Sequence, residues 1–431
     1  MSKNFYLYLI MLALIATVGF FQSWNVALMI LNMCIISAIM SLGVNIQYGY
    51  AGLFNLGIMG FVALGGLATV IISAPPVYDA WAVGGLRVLS ALVFGALSIL
   101  SAIFVWNYVK GSKYRPMIIT ILLVGSFFIY RFIFDPAVEA IEKINPAAEG
   151  YLGGLGLPVI LSWPVGGLLA AIAAWLIGKI ALGLRSDYLA IATIGVSEII
   201  IFIIKNEDWL ARGVKNVIGL PRPVPYEIDL QQSSNFIYWS QAFGIDVVDA
   251  STLFVKICYT VLFLIVLFIL YWLCEKALNS PWGRMMRAIR DNEVAAESMG
   301  KDVKTRHLQV FILGSAVCGI AGAMLVTLDG QLTPTNYHPL RFTFIIWVMV
   351  ILGGAGNNMG AILGGFIIWF FWVEVEYIGL FLMDFLTSGF SDDSAFRNHM
   401  LNSAAYMRYL TLGLILVLVL RFNPKGLIPE K

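Results

Sequence analysis

Charge is what this sequence has least of. Only 12% of its 431 residues are Asp, Glu, Lys or Arg, where a soluble globular chain carries about a quarter. Its surface is therefore not built to face water, and a mean hydropathy of +0.86 agrees. A formal net charge of +2 supplies no basic field for nucleic acid. Cysteine is sparse too: Cys34, Cys258, Cys274 and Cys318 fall inside apolar runs, at spacings that give neither a disulfide framework nor a zinc site. His307, His338 and His399 form no HxxH or HExxH pattern, so no metal or other cofactor is expected. No G-x-x-x-x-G-K-S/T occurs either, which leaves the chain without a phosphate-cradling loop for ATP hydrolysis.

What the sequence does have is apolar runs. A helix needs about 20 apolar residues to cross roughly 30 Å of hydrocarbon. Runs near that length occupy 5–22, 26–46, 51–74, 87–109, 116–134, 158–179, 188–204, 252–274, 305–328, 359–383 and 405–421, with a shorter one at 341–353 that is either a full crossing or a half-span. The reading is an all-α polytopic membrane protein with about 11–12 hydrophobic helices, one domain over residues 1–431. The apolar stretch ending at Phe21 follows Lys3 but lacks a small-x-small cleavage site, so it reads as a retained span and not a signal peptide.

Lys and Arg concentrate on the cytoplasmic side of membrane proteins. The segment 275–304 with its flank carries Lys276, Arg284, Arg287, Arg290, Lys301, Lys304 and Arg306, and is expected to be cytoplasmic. Alternation then puts the acidic loops 135–156 and 205–251 outside, and the turn 110–115 inside with Lys110, Lys113 and Arg115. Lys3 and the tail with Arg421, Lys425 and Lys431 also fall inside, provided that 341–353 crosses fully.

Small residues repeat at four-residue spacing in Gly356, Gly360 and Gly364, and in Ser315, Gly319 and Ala323. That pattern lets membrane helices approach closely, and packing explains it better than ligand binding. Polar groups inside spans are costly and tend to face a bundle interior or cavity. Glu198, Asn45 and Asn55 are therefore candidates for a translocation pathway, or else for hydrogen bonds between helices. Lys179, Lys256, Arg408 and Arg131 lie near span ends, where they can snorkel to the interface. Glu374 and Glu376 fit an inter-helix pair.

The stretch Ser280 to Val303, SPWGRMMRAIRDNEVAAESMGKDV, is a polar helical excursion between two spans. Ser280 and Pro281 read as N-cap and first helical residue. Arg284, Arg287 and Arg290 share a face, and Gly300 ends the helix. Residue chemistry alone allows either a solvated connector held near anionic lipid or a docking surface for another protein.

GRMMRAIRDNEVAAESMGKDV resembles the cytoplasmic loop of LivM-type permeases of branched-chain amino acid ABC importers, in which an EAA motif followed by glycine docks on an ATPase subunit. Here Val294, Ala295, Ala296 and Gly300 match, with valine where the usual motif has glutamate and Glu293 one residue earlier. NIQYGYAGLFNLGIMGFVALGG (45–66), RSDYLAIATIGVSEII (185–200), GLPRP (219–223), VMVILGGAGNNMGAILGG (348–365) and RFNPKGL (421–427) are similar to further blocks of the family, in family order. Residues 80–155 depart from the pattern and suggest an extra pair of spans, and Ala211-Arg212-Gly213 stands where a Thr-Gly-Gly-like turn is usual.

The resemblance implies the ABC-importer permease fold in a bacterial inner membrane. It also implies two ATP-binding subunits docked through Arg284, Arg287, Arg290, Glu293, Ala295, Ala296 and Gly300, a second homologous permease subunit, and a periplasmic solute-binding protein. Urea or short amides are alternative cargoes. An ion-coupled secondary transporter would need paired ionisable residues at mid-depth, and a membrane enzyme a catalytic constellation that is not visible.

Overall fold

The computed structural model describes residues 3–146, 149–391 and 394–430, so Lys431 lies outside the described residues. Helices that bear on the site are numbered in chain order. They are α1 (Lys3–Phe21), α2 (Trp24–Val44), α3 (Ile58–Ser73), α4 (Leu86–Tyr108), α5 (Arg115–Glu142), α6 (Ser162–Ala181) and α7 (Ser186–Asn206). After a long loop come α8 (Val247–Leu278), α9 (Pro281–Asp291), α10 (Glu293–Ser298), α11 (Val303–Asp329), α12 (Pro339–Gly353), α13 (Asn358–Thr387) and α14 (Met407–Phe422). The all-α expectation holds, with one small ribbon. β1 (Val217–Ile218) pairs antiparallel with β2 (Gln331–Leu332).

Among the described residues, ten helical segments are long and apolar enough to cross a membrane, and two shorter apolar helices, α3 and α12, accompany them. Loop contacts sort the ends of these helices into two faces. On one face the β1–β2 ribbon joins the long 207–246 loop to 330–338, Leu152 N–H donates to Trp209 O, and Pro76 bridges Gly153. On the other, Leu427 and Ile428 N–H donate to the carbonyls of Leu352 and Gly353, and Asn358 Nδ2 donates to Glu275 Oε1 at 2.9 Å. We call these the ribbon face and the basic face. The α12 helix runs from the ribbon side at Pro339 to the basic face at Gly353, but with 15 residues it is shorter than the ten candidate spans, as the short run 341–353 led one to expect.

The bundle is centred on α11, which lies against α2, α3 and α6, while α2 also packs on α8, α12 and α13. Small residues make this possible. A Cβ on Gly319 would meet the Gly166 carbonyl oxygen at 2.5 Å and Ala170 Cβ at 2.6 Å, and one on Gly364 would collide with the Met349 carbonyl. Both small-residue repeats therefore set helix separation, as expected of close-packed membrane helices.

The run 51–74 is not a single span. α2 tightens into a π turn over Asn45–Gly49, residues 52–57 leave helical geometry, and α3 begins only at Ile58. Helix α5 overruns the expected 116–134 and continues through Pro136 to Glu142. Helices α4 and α5, the extra pair, form a hairpin that stands apart. Its root is a satellite core of Ala80, Val88, Ala137, Ile141 and Trp209, separate from the main core, and its remaining length is almost entirely exposed.

Candidate functional site

The break at 45–57 puts backbone polar groups inside an apolar bundle, where each unsatisfied group costs several kcal/mol. Buried side chains answer it. Asn45 Oδ1 accepts Gly356 N–H at 2.8 Å while its Nδ2 donates to Asn358 Oδ1 at 3.1 Å. Tyr50 OH also donates to Asn358 Oδ1. Asn55 Oδ1 accepts Gly57 N–H at 2.8 Å, its Nδ2 donates to Gln47 Oε1 at 2.8 Å, and its carbonyl accepts Trp347 Nε1 at 3.0 Å. Gln47 Nε2 in turn donates to Phe311 O and Ser315 Oγ. Asn45 and Asn55 therefore brace a helix discontinuity against α11, α12 and α13. Their hydrogen-bonding capacity is engaged between helices.

Glu198 is not part of that network. It is exposed on the outer side of α7, next to Ile199 at 58% exposure, whereas Thr193 and Ser197 face inward. The structure thus brings together two of the three pathway candidates and sets Glu198 on the opposite side of its helix, a difference that a single apolar run cannot reveal. Glu374 accepts Gln22 Nε2 at 2.7 Å, Glu376 pairs with Arg408, and Arg131 pairs with Asp135 at 2.6 Å. The inter-helix partners of the two glutamates are therefore glutamine and arginine, not each other.

The polar segment lies on the basic face as two helices, not the single one expected. Asn292, at φ −156° and ψ 98°, ends α9, and its side chain accepts Ala295 N–H to cap α10. Ser280 caps α9 and Asp302 caps α11 in the same way. Gly300, at φ +76°, terminates the excursion in the left-handed region, which favours glycine. Thr305, through its hydroxyl and its backbone N–H, holds the Asp302 carboxyl below the usual range.

The two faces of α9 and α10 divide cleanly. Gly283, Met286, Ile289 and Ala296 are buried against the bundle. Arg284, Glu293, Ala295 and Gly300 are exposed, Arg287 is half-buried, and Val294 and Met299 are 73% and 80% exposed. Arg290 points inward. Its guanidinium donates to the Gly49 carbonyl and pairs with Glu430 at 2.8 Å. Burial alone would lower this guanidinium's pKa, but Glu430 and Asp291 outweigh it and raise it. Ala296 and Arg290 thus seat the segment, whereas Val294, Ala295 and Met299 present it. Glu430, Gln47, Asn358 and Glu275 were not candidates from sequence. Only the NxQ and GNN contexts of Gln47 and Asn358 offered any signal.

Residues 137–420 match the family described as branched-chain amino acid transport system / permease component. The chain belongs to that family. Among its relatives is the high-affinity branched-chain amino acid transport system permease protein LivM of Escherichia coli (strain K12), 28% identical over 293 residues, or 67% of this chain. The match spans 61% of that relative's length, less than two thirds. A probable branched-chain amino acid transport permease protein LivM of Methanocaldococcus jannaschii is 25% identical over 402 residues, covering 91% of this chain and 90% of the relative. The fructose import permease protein FrcC of Rhizobium meliloti is 26% identical over only 125 residues, 28% of this chain and 34% of its own. No solved structure matches. The family region begins inside α5, so α1–α4 and most of α5 lie outside it.

Proposed function

We propose that this permease is one membrane subunit of an ATP-binding-cassette importer that carries branched-chain amino acids across a bacterial inner membrane. The observation that carries the reading is the α9–α10 segment, held by Arg290 and displaying Val294 and Met299 almost fully exposed. Large apolar side chains left exposed on a polar segment fit a protein partner better than water. Two ATP-binding subunits would dock here and on the equivalent segment of a second permease, and a solute-binding protein would deliver cargo to the ribbon face. The positive-inside rule favours a cytoplasmic basic face, with both termini on that side.

Coupling would be mechanical. Arg290 grips the π-turn carbonyl of Gly49 and the C-terminal Glu430 together, so displacement of α9 pulls on the end of α2 and on the tail. Exposed Glu198 supports a second permease covering α7, because a carboxylate facing lipid at mid-span costs about 3 kcal/mol.

The test is ATP-driven leucine uptake by proteoliposomes containing this chain with its co-purified partners. An Ala295→Glu variant should insert normally yet lose the ATPase subunits and uptake. Wild-type uptake by that variant would sink the docking assignment, and leucine transport by the chain alone without ATP would make it a secondary carrier.

A further inference from the structure

A cavity of about 220 Å³ lies inside the bundle, enclosed by α2, α3, α11, α12 and α13. It falls below the roughly 300–1,000 Å³ of pockets for drug-sized ligands, which suits a solute of about ten non-hydrogen atoms. Its wall is apolar and rich in methionine: Met33, Met40, Met59 and Met349 all line it. Unbranched, polarisable methionine adapts to differently shaped aliphatic groups. Asp329, the last residue of α11, stands exposed at the rim beside the ribbon. Deeper in, Trp369 lines the same cavity, and its indole N–H is buried with no hydrogen-bond partner among the described residues.

This combination is selective. Burying an indole N–H without an acceptor costs about 1–3 kcal/mol, so an acceptor is called for in or beside the space. Asp329 is the one carboxylate at a mouth otherwise lined by the uncharged polar residues Gln331, Thr333 and Asn336, so the mouth attracts a cation and repels a lone carboxylate. The cavity reaches the ribbon side through Gln331, Thr333 and Asn336. Asp329 borders the ribbon face, whereas Met349 lies one helical turn short of Gly353 on the basic face.

We propose that this cavity is a binding site for an aliphatic α-amino acid entering from the ribbon face, with its ammonium on Asp329, its carboxylate accepting from Trp369 Nε1 and its side chain among the methionines. The assignment rests on the importer reading and extends it. It places a cargo site within a single permease chain, distinct from any passage between two subunits. It also makes the stretch from Met349 to Gly353 the barrier that must move before cargo can leave through the basic face.

The test is binding of radiolabelled leucine to the full chain in lipid nanodiscs, with leucinamide and 4-methylpentanoate as competitors. Leucinamide keeps the ammonium and should compete. 4-Methylpentanoate lacks it and should not. Asp329→Asn, at an exposed rim position, should weaken leucine binding about tenfold, as expected for loss of one charge-assisted contact. Met349→Trp should abolish binding by filling the space, with thermal melting confirming that the variant is folded. Equal competition by 4-methylpentanoate, or unchanged leucine binding in folded Asp329→Asn, overturns the assignment. The importer reading fails separately, if the wild-type complex with its ATPases does not transport leucine. Wild-type transport that persists at full rate in both variants overturns the cavity alone.

Discussion

Arg290 and Glu430 meet at 2.8 Å across 140 residues of sequence, and the same guanidinium donates to the carbonyl of Gly49. Both side chains are about three-quarters buried, at 24% and 27% exposure. One arginine therefore fastens the docking segment, the broken second helix and the C-terminal tail to one another. Arg290→Ala should leave insertion and ATPase binding intact while lowering ATP-driven uptake at least several-fold, and Arg290→Lys should restore little because it cannot fork between two acceptors. Parallel measurement of ATP hydrolysis and uptake decides the point: a proportional loss of both would mean failed assembly instead of failed coupling.

Asn292 is the hinge between α9 and α10. Asn292→Ala removes the cap and should cost about 1 kcal/mol of local stability, seen as faster amide exchange over 293–298, while Asn292→Asp should be nearly neutral. Asp302 adds a pH dependence at the start of α11. Its carboxyl is held below the ordinary range, so its contribution is complete above the unfolded value of about 3.9 and is lost as pH falls through the folded value. Amide protection at the N-terminus of α11, corrected for the intrinsic pH dependence of exchange, should thus be constant near neutrality and fall only in acid, and Asp302→Asn should remove that fall.

Gly319 allows α11 and α6 to touch backbone to backbone. Gly319→Val would force those helices apart, because even a Cβ meets Gly166 and Ala170 at 2.5–2.6 Å. Overpacking of this kind costs typically about 1–3 kcal/mol. The expected outcome is a lower melting temperature in detergent, with a smaller loss in Gly319→Ala, which adds the Cβ alone.

Glu198 gives opposite predictions for the free chain and the assembly. In isolation, Glu198→Leu should raise stability in nanodiscs, since it removes a carboxylate from an exposed apolar face. Recovery of the second permease in a tagged pull-down should fall, as should uptake. Unchanged pull-down with unchanged uptake would leave the face of α7 to lipid.

Apolar runs were enough to read the all-α class and the number of hydrophobic helices, because hydropathy acts locally along the chain. The missing detail is tertiary. Residues 51–57 are as apolar as a helix, and only their partners on α11 and α12 show why the backbone can leave helical geometry there. Glu198 sits between inward-facing Ser197 and outward-facing Ile199, so a one-residue step decides which way it points. Asp329 was not singled out, because it lies just past an apolar run and only the fold sets it beside a cavity lined by Trp369 and four methionines from three other helices. The NEVAAESMG stretch was legible as part of a polar helical excursion, but its division into buried Ala296 and exposed Ala295 was not.

Among the described residues, the α4–α5 hairpin shares a buried core with the remainder of the molecule only at its satellite root. In a bilayer most of its length would therefore meet acyl chains and not protein, so that the hairpin could tilt about that root to suit the local membrane thickness while the main core kept its packing.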